Sequence, residues 1–126
     1  MYRIIFYEKN GKSEVWDFLE ELREKADYSK DARIQYKQIL LYIQLLQENG
    51  KNLPENICKY LGQDIWELRP GYNWILFFFW HDEDCILLHC FRKKTQKTPR
   101  RELEKTQRRK EDFVHRKEMS ADENMG

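Results

Sequence analysis

The first half of the chain combines one strand-like segment with two helical ones. Residues 2–7 are aromatic and β-branched and precede Asn10-Gly11, which predicts a strand followed by a turn. From Ser13, a suitable N-cap, apolar residues recur at helical spacing and form one stripe: Val15, Phe18, Leu19 and Leu22. A second helix is predicted from about Lys30 to Asn49, with Gly50 as its stop. The short polar connection between them predicts an antiparallel helical hairpin.

The second half has the pattern of a sheet followed by a helix. Residues 65–69 alternate in polarity, residues 74–80 are almost continuously apolar, and residues 85–91 form another apolar run. Short polar connections separate these runs, so they predict an antiparallel meander whose middle strand is buried on both faces. Thr98-Pro99 provides an N-cap followed by proline at the first helical position. A highly charged helix is predicted from there to about His115.

This order of elements predicts an α+β domain. It consists of an antiparallel sheet, an N-terminal helical hairpin on one face and a C-terminal basic helix. We assign residues 1–117 to this single domain and residues 118–126 to a flexible C-terminal tail. No apolar run approaches the roughly 20 residues of a membrane helix, and the first residues lack the pattern of a signal peptide. We therefore expect a cytoplasmic protein with no membrane partner.

The cysteine content favours reduced thiols. The chain has three cysteines, an odd number, and none of them form a Cys-x-x-Cys pair: Cys58, Cys85 and Cys90. This spacing argues against both a disulfide scaffold and a zinc site, so no metal and no cofactor are expected.

Charge is distributed very unevenly along the chain. Residues 1–91 hold 11 Lys or Arg and 15 Asp or Glu, a balance of −4, whereas residues 92–117 hold 12 and 4, a balance of +8. The formal net charge of the whole chain is only +1. A near-neutral protein with one strongly cationic segment is expected to bind a polyanion there, most commonly a phosphodiester backbone.

Strand parity sorts the candidate chemical groups. Arg69 lies on the same side of its strand as Glu67, and Lys93 lies on the same side as His89, whereas Lys94 points the other way. Arg69 and one of the lysines can therefore converge on one sheet face. Such a cluster suits RNA cleavage without a metal, because cations stabilise the charge that develops on the phosphate. Closely spaced ammonium groups also favour the release of a proton from one of them.

Plainer interpretations of the same residues stay open. A lysine-rich loop is more often a solvated surface than a catalytic site. Arg69 beside Glu67 is equally well explained as a simple ion pair on the sheet. His89, between apolar residues, fits a satisfied or partly buried histidine better than a catalytic base, and the aromatic residues 77–80 are expected to be packing residues first.

Three segments together form a much more specific signature. They are Ile65-Trp66-Glu67-Leu68-Arg69-Pro70, Ile75-Leu76-Phe77, and Leu87-Leu88-His89-x-Phe91-x-Lys93-Lys94-Thr95-Gln96-Lys97-Thr98-Pro99, with Glu102 and a basic helix behind them. In these segments the chain closely resembles the phage-derived HigB-like branch of the RelE/ParE toxins, and the order of elements agrees over residues 1–117. The resemblance implies a RelE-like fold and a toxin of a type II toxin–antitoxin pair. It further implies a metal-independent endoribonuclease that cleaves mRNA on the ribosome, and a HigA-like helix-turn-helix antitoxin as partner.

The resemblance also implies roles for individual residues. The expected catalytic residues are Arg69, Lys93 and Lys94: Arg69 and Lys94 hold the scissile phosphate, and Lys93 exchanges protons. The expected RNA-binding residues are Trp74, Lys97, Arg100, Arg108 and Arg109. Trp74 is a departure, because the family usually has an arginine there, and an indole cannot replace its bidentate phosphate contact. We expect Trp74 to stack on a base instead.

Two other functions remain compatible with the sequence. The Trp74 departure suits a catalytically weakened toxin homologue that acts only by binding an antitoxin or a ribosome. The ParE side of the superfamily, which inhibits gyrase, is the second alternative. The dense lysine tract and the long helical hairpin favour the RNA-cleaving side.

Overall fold

The computed structural model describes residues 1–125, with side chains described for residues 1–121. The elements in chain order are β1 (Arg3–Phe6), α1 (Glu14–Lys25), α2 (Lys30–Asn49), a 3-10 turn (Gly50–Asn52), β2 (Cys58–Gly62), β3 (Ile65–Leu68), β4 (Asn73–Trp80), β5 (Asp84–Arg92) and α3 (Arg100–Met125). Within residues 1–125, no helix is both long enough and apolar enough to cross a membrane. The α+β class and the RelE-like arrangement of elements are confirmed.

The helical hairpin forms as its sequence pattern predicts. The side chain of Ser13 caps α1 by accepting a hydrogen bond from the Trp16 backbone N–H at 3.1 Å. Ser29 caps α2 in the same way. α2 ends at Gly50, which has a φ of 54°. A Cβ added there would lie 2.5 Å from the Tyr2 ring, so both the conformation and the space favour glycine.

The sheet is mixed, which corrects the prediction of a purely antiparallel sheet. Its strand order is β1-β5-β4-β3-β2, and the pairs β2–β3, β3–β4 and β4–β5 are antiparallel. β1 instead pairs parallel with β5, because the helical hairpin and three further strands intervene before the chain returns beside it. β2 was not predicted from the sequence. It is a five-residue edge strand, Cys-Lys-Tyr-Leu-Gly, without an alternating pattern.

Each face of the sheet is covered by a different helical layer. The hairpin α1–α2 packs on one face against buried side chains from β3, β4 and β5, namely Leu68, Ile75, Phe77 and Leu87. On the other face α3 contributes Phe113, which packs with Phe78, Ile86 and Leu88. The central part of β4 is therefore buried on both faces, as predicted.

The start and the end of α3 differ from the prediction. The helix begins at Arg100, and the carbonyl oxygen of Pro99 accepts hydrogen bonds from the backbone N–H groups of Glu102 and Leu103. The Thr98 hydroxyl does not cap the helix but donates to Glu67 Oε2 at 2.6 Å. α3 continues to Met125, well past the predicted end near His115. The domain boundary at residue 117 and the flexibility of residues 118–126 stay predictions.

The three cysteines are free and largely enclosed. Burial raises the pKa of the thiols of Cys58, Cys85 and Cys90 to about 12. They therefore remain protonated at neutral pH and act as small packing residues.

The hydrogen bond between Thr98 and Glu67 gives a direct test of the fold. Thr98→Val should lower the free energy of unfolding by about 1–3 kcal/mol, because it leaves an oxygen of a buried carboxylate without its partner. Thr95→Val is the matched control, since Thr95 is exposed and should change stability by about 0.5 kcal/mol or less. Urea unfolding followed by tryptophan fluorescence measures both. Equal effects of the two substitutions would contradict a structural role for the buried hydroxyl.

Candidate functional site

A buried carboxylate organises the end of β3. Glu67 is fully buried, and its Oε1 accepts a hydrogen bond from Arg69 Nε at 2.9 Å while a terminal nitrogen of Arg69 lies at the same distance. Its Oε2 accepts the hydrogen bond from Thr98. Burial raises the pKa of the Glu67 carboxyl, although the hydrogen bonds from Thr98 and Arg69 act in the opposite direction. Glu67 thus ties Arg69 and the loop before α3 to one point of the sheet.

Trp74 brings cations from two strands together. The Arg69 guanidinium lies 4.3 Å from the centre of the Trp74 ring, and the Lys93 ammonium lies 5.3 Å from it. The indole N–H donates to the carbonyl oxygen of Gly71 at 3.2 Å, and the ring meets Phe91 edge-on. Cation–π attraction at such distances contributes about 0.5–2 kcal/mol per pair. Arg69 and Lys93 therefore share one aromatic support on the same sheet face, as strand parity predicts.

We call this surface the cationic patch: Arg69 and Lys93 on Trp74, together with Lys94 and Lys97, the exposed lysines that follow Lys93 in the chain. β5 ends at Arg92, and the Lys93 backbone N–H donates to the carbonyl oxygen of Tyr72 at 2.8 Å. Lys93 is half-buried against Trp74, whereas Lys94 is exposed, so the two lysines differ in environment as expected. The patch presents several cations at the ends of β3 and β5, where a phosphate can approach.

The structure argues against the expected role of Trp74. The residue is only 2% exposed, and Arg69 and Lys93 lie over its ring. A base could stack on the indole only after these cations moved aside. In the present conformation Trp74 supports the cations and does not present a face to RNA.

The remaining expected RNA-binding residues are not equivalent. Lys97 and Arg108 are exposed, and Arg100 is exposed while forming an ion pair with Glu104 at 2.9 Å. Arg109 instead donates to the carbonyl oxygen of Leu88 at 2.8 Å and to Glu14 at 3.1 Å. Its guanidinium is committed to contacts within the chain, which argues against the RNA-binding role expected for it.

His89 is the centre of a second polar network, which sequence reasoning predicted only as a satisfied histidine. The ring is 3% exposed. Its Nδ1 lies 2.7 Å from Glu14 Oε1, and its Nε2 contacts Glu102 Oε2. With Arg109 these residues form what we call the His89 network, which links α1, β5 and α3. The interpretation of His89 as a satisfied, buried histidine is confirmed.

The His89 network has an electrostatic consequence for Glu14. The hydrogen bond from His89, followed by that from Arg109, lowers the pKa of the Glu14 carboxyl from 4.5 to about 2 against the opposing effect of burial. In the part of the chain that the structure describes, no group of three or more His, Cys, Asp or Glu side chains is arranged to hold a metal ion.

The partners of these polar groups could not be found by spacing alone. Glu14 and Arg109 are 95 residues apart, and Thr98 and Glu67 are 31 residues apart. One local signal was present, namely an acidic residue two positions before Arg69 in an otherwise apolar strand. That signal predicted the Glu67–Arg69 pair but not its complete burial.

Comparison with known families decides what kind of protein carries this patch. Residues 17–111 match the phage-derived proteins described as Gp49-like (DUF891). The chain belongs to this family. Gp49-like proteins are part of the RelE/ParE-like toxin superfamily and are associated with the toxins of toxin–antitoxin pairs, so membership implies an antitoxin partner. A comparison with curated proteins finds no match.

The His89 network predicts how the stability of this Gp49-like protein depends on pH. Because the pKa of Glu14 is lower in the folded protein, its ionised form stabilises the fold above pH 4.5, and this contribution is lost as the pH falls towards 2. Glu14→Gln should therefore lower the free energy of unfolding at pH 6. In this variant the free energy of unfolding should also decrease less between pH 4.5 and pH 2 than in the unmodified protein. Urea unfolding at a series of pH values measures both effects.

A control on the same helix separates this effect from general charge loss. Glu21→Gln removes an exposed acid whose one ion pair among residues 1–121 is with Lys25 along the helix surface. Between pH 4.5 and pH 2, the free energy of unfolding of this variant should fall with pH as steeply as that of the unmodified protein. If the free energy of unfolding of Glu14→Gln also fell as steeply as that of the unmodified protein, the proposed origin of the pH dependence would be contradicted.

Proposed function

We propose that this Gp49-like protein is a HigB-like toxin that cleaves mRNA on the ribosome without a metal ion. The observation that supports this most directly is the cationic patch, in which Arg69 and Lys93 meet on Trp74 and the exposed Lys94 and Lys97 follow Lys93 in the chain. The antitoxin proposed for it is a helix-turn-helix protein of the HigA kind.

Cleavage of RNA by its own 2′-hydroxyl has three chemical requirements. The hydroxyl must lose a proton, the phosphate must carry additional negative charge, and the departing 5′-oxygen must gain a proton. In the proposed mechanism Arg69 and Lys94 stabilise the phosphate, and Lys93 exchanges protons. Lys97 and Arg100 hold the neighbouring phosphates. Preorganised cations are effective here because they need little rearrangement as the charge develops.

Glu67 restricts how Arg69 can take part. The carboxylate engages Nε and one terminal nitrogen of the guanidinium. Arginine carries five N–H donors in a fixed planar arrangement, so donors on the other terminal nitrogen remain for a phosphate. Arg69 would therefore bind phosphate through one edge while Glu67 holds the other.

One observation favours the weaker alternative, a homologue that only binds. Trp74 occupies the position of the family arginine, and its buried indole cannot donate to a phosphate except through an N–H that already binds Gly71. A binding-only protein would pair with its antitoxin and would inhibit growth only by occupying a ribosome. Catalysis and binding differ in what they require of Lys93 and Lys94.

Substitution of these two lysines tests the proposal. Lys93→Ala and Lys94→Ala should each lower mRNA cleavage by about a hundred- to a thousand-fold, since each removes a cation from the transition state. Cleavage is measured by mapping RNA ends in a purified translation reaction with 70S ribosomes. Lys37→Ala, an exposed lysine on α2, is the control and should cleave normally.

The outcomes separate the three candidate functions. Cleavage would be contradicted if both lysine variants inhibited growth as strongly as the unmodified protein and if the reaction with the unmodified protein produced no new RNA ends. That result would favour a protein that only binds. DNA breaks without RNA cleavage would instead favour the gyrase-inhibiting alternative.

Trp74 supplies a prediction in the opposite direction. Trp74→Arg should raise mRNA cleavage by about two orders of magnitude, because it restores a charge-assisted phosphate contact beside Arg69 and Lys93. Trp74→Phe keeps an aromatic ring without adding charge and should show no gain. Rates are compared per folded protein, since position 74 is buried and the arginine variant is expected to be less stable. A folded Trp74→Arg protein with unchanged or lower cleavage would contradict the placement of the scissile phosphate at this patch.

A further inference from the structure

A second cationic surface lies in a groove between the β1–α1 turn and α3. The groove has a volume of about 760 Å³. Lys9 and Lys12 line it on the side of the turn, and Lys105 and Arg108 line it on the side of α3. None of the residues of the cationic patch lines this groove. It is therefore a separate surface.

The acidic residues of the groove are largely neutralised by contacts within the chain. Glu14 belongs to the His89 network. Asp112 accepts hydrogen bonds from the Tyr7 hydroxyl at 2.7 Å and from Arg116 at 3.0 Å. Glu21 forms an ion pair at 2.7 Å with the lysine one turn further along α1. Only Asp17 lines the groove as an acid without an ion pair among residues 1–121.

The cations of the groove are not neutralised in this way. Lys9, Lys12, Lys105 and Arg108 form no ion pair with any residue whose side chain the structure describes. Four cations without an ion pair thus face one acid without an ion pair among residues 1–121. A concave surface with this balance concentrates anions, because the low-dielectric walls focus the field.

An exposed row of cations on α3 runs from the groove towards the loop that carries Lys97. Arg101, Lys105 and Arg108 recur at i, i+4 and i+7, so they lie on one side of the helix, and all three are exposed. This row is about 10 Å long at the rise of an α-helix. It starts just after the loop that carries Lys97 and ends in the groove.

The groove offers charge but no free aromatic face. Tyr7 is 6% exposed, and the guanidinium groups of Arg109 and Arg116 lie 6.0 Å and 5.3 Å from its ring centre. Phe18 is packed against the core of the helical hairpin. Single-stranded RNA is usually held by bases stacked on aromatic side chains, whereas duplex RNA is recognised by its backbone and shape. A protein partner would usually need an apolar or aromatic anchor at the centre of its interface.

We propose that Lys9, Lys12, Lys105 and Arg108 bind the sugar–phosphate backbone of duplex RNA, in a contact separate from the strand held at the cationic patch. The inference deepens the proposed function and rests on it, because a toxin that acts on the ribosome meets duplex RNA beside its mRNA substrate. The groove orients the protein without reading sequence.

The dependence of binding on salt tests this proposal directly. A short blunt-ended RNA duplex with a fluorescent label is titrated with protein at several salt concentrations, and the dissociation constant is followed by anisotropy. Lys12→Ala/Lys105→Ala removes one cation from each side of the groove. Each phosphate contact contributes about 0.9 to the slope of log affinity against log salt in duplex DNA, so the slope should fall by roughly 1.5–2. Lys30→Ala/Lys37→Ala, two exposed lysines of α2, is the matched control and should leave the slope unchanged.

Three results would overturn the proposal. The first is an equal change of slope in both double variants, or no change in either. The second is binding of the corresponding single strand as tightly as the duplex, which would indicate stacking. The third is tighter binding of an acidic peptide of equal charge than of the duplex, which would indicate a protein-binding surface.

The same titration with Lys93→Ala/Lys94→Ala separates this proposal from the proposed function. Duplex binding should retain its dependence on Lys12 and Lys105 in that background, whether or not the protein cleaves mRNA. If Lys12→Ala/Lys105→Ala cleaved mRNA normally and left the salt slope unaltered, only the proposal that the groove binds duplex RNA would be rejected. If the unmodified protein cleaved RNA in no assay while the groove variant still showed the reduced salt slope, the endonuclease would be rejected. The groove would then belong to a protein that binds duplex RNA without cleaving mRNA.

Discussion

The buried carboxylate of Glu67 is the interaction on which the candidate site depends. A charge removed from water must be compensated, and Arg69 and Thr98 together occupy both oxygens. Arg69 is thereby held over Trp74, and the loop that carries the lysines is fixed to the sheet just before α3. One acidic residue in an apolar strand thus determines where several cations lie. Burial disfavours the ionised form of Glu67, and the hydrogen bonds from Thr98 and Arg69 act against that effect.

Trp74 changes the balance between structure and chemistry at this site. Arg69 and Lys93 repel each other, and the electron-rich face of an indole reduces the cost of placing both near one point. An arginine at position 74 would add a third cation with no such compensation, but it would supply donors for a phosphate. The present residue therefore favours a stable, organised patch over an additional donor for a phosphate.

Elements specified by local pattern were predictable, and those specified by distant pairing were not. The caps at Ser13 and Gly50, the helix Lys30–Asn49 and the buried strand β4 follow from periodicity and turn chemistry. The parallel pairing of β1 with β5 depends on where the chain returns after some 80 residues, which local pattern does not encode. For the candidate site, strand parity predicted that Arg69 and one of the two lysines converge on one sheet face, and the buried middle strand that contains Trp74 was also predicted. Strand parity did not predict that Arg69 and Lys93 lie over the Trp74 ring, because that depends on the fold.

The cationic segment also shows why composition overstates a binding surface. Residues 92–117 carry a balance of +8, but several of these cations are used to attach α3 to the rest of the chain. Arg109 binds Glu14 and a β5 carbonyl oxygen, Lys110 binds the carbonyl oxygen of Gln63, and Arg116 binds that of Glu8. A helix with so few apolar residues needs these contacts, because Phe113 is its one buried aromatic anchor among residues 100–121. The exposed cations include Lys94 and Lys97 in the loop before α3 and the row Arg101, Lys105 and Arg108 that leads into the groove. The cations of this segment thus serve two purposes. Those on one side of α3 attach the helix to the rest of the chain, and those on the exposed side remain available to a polyanion.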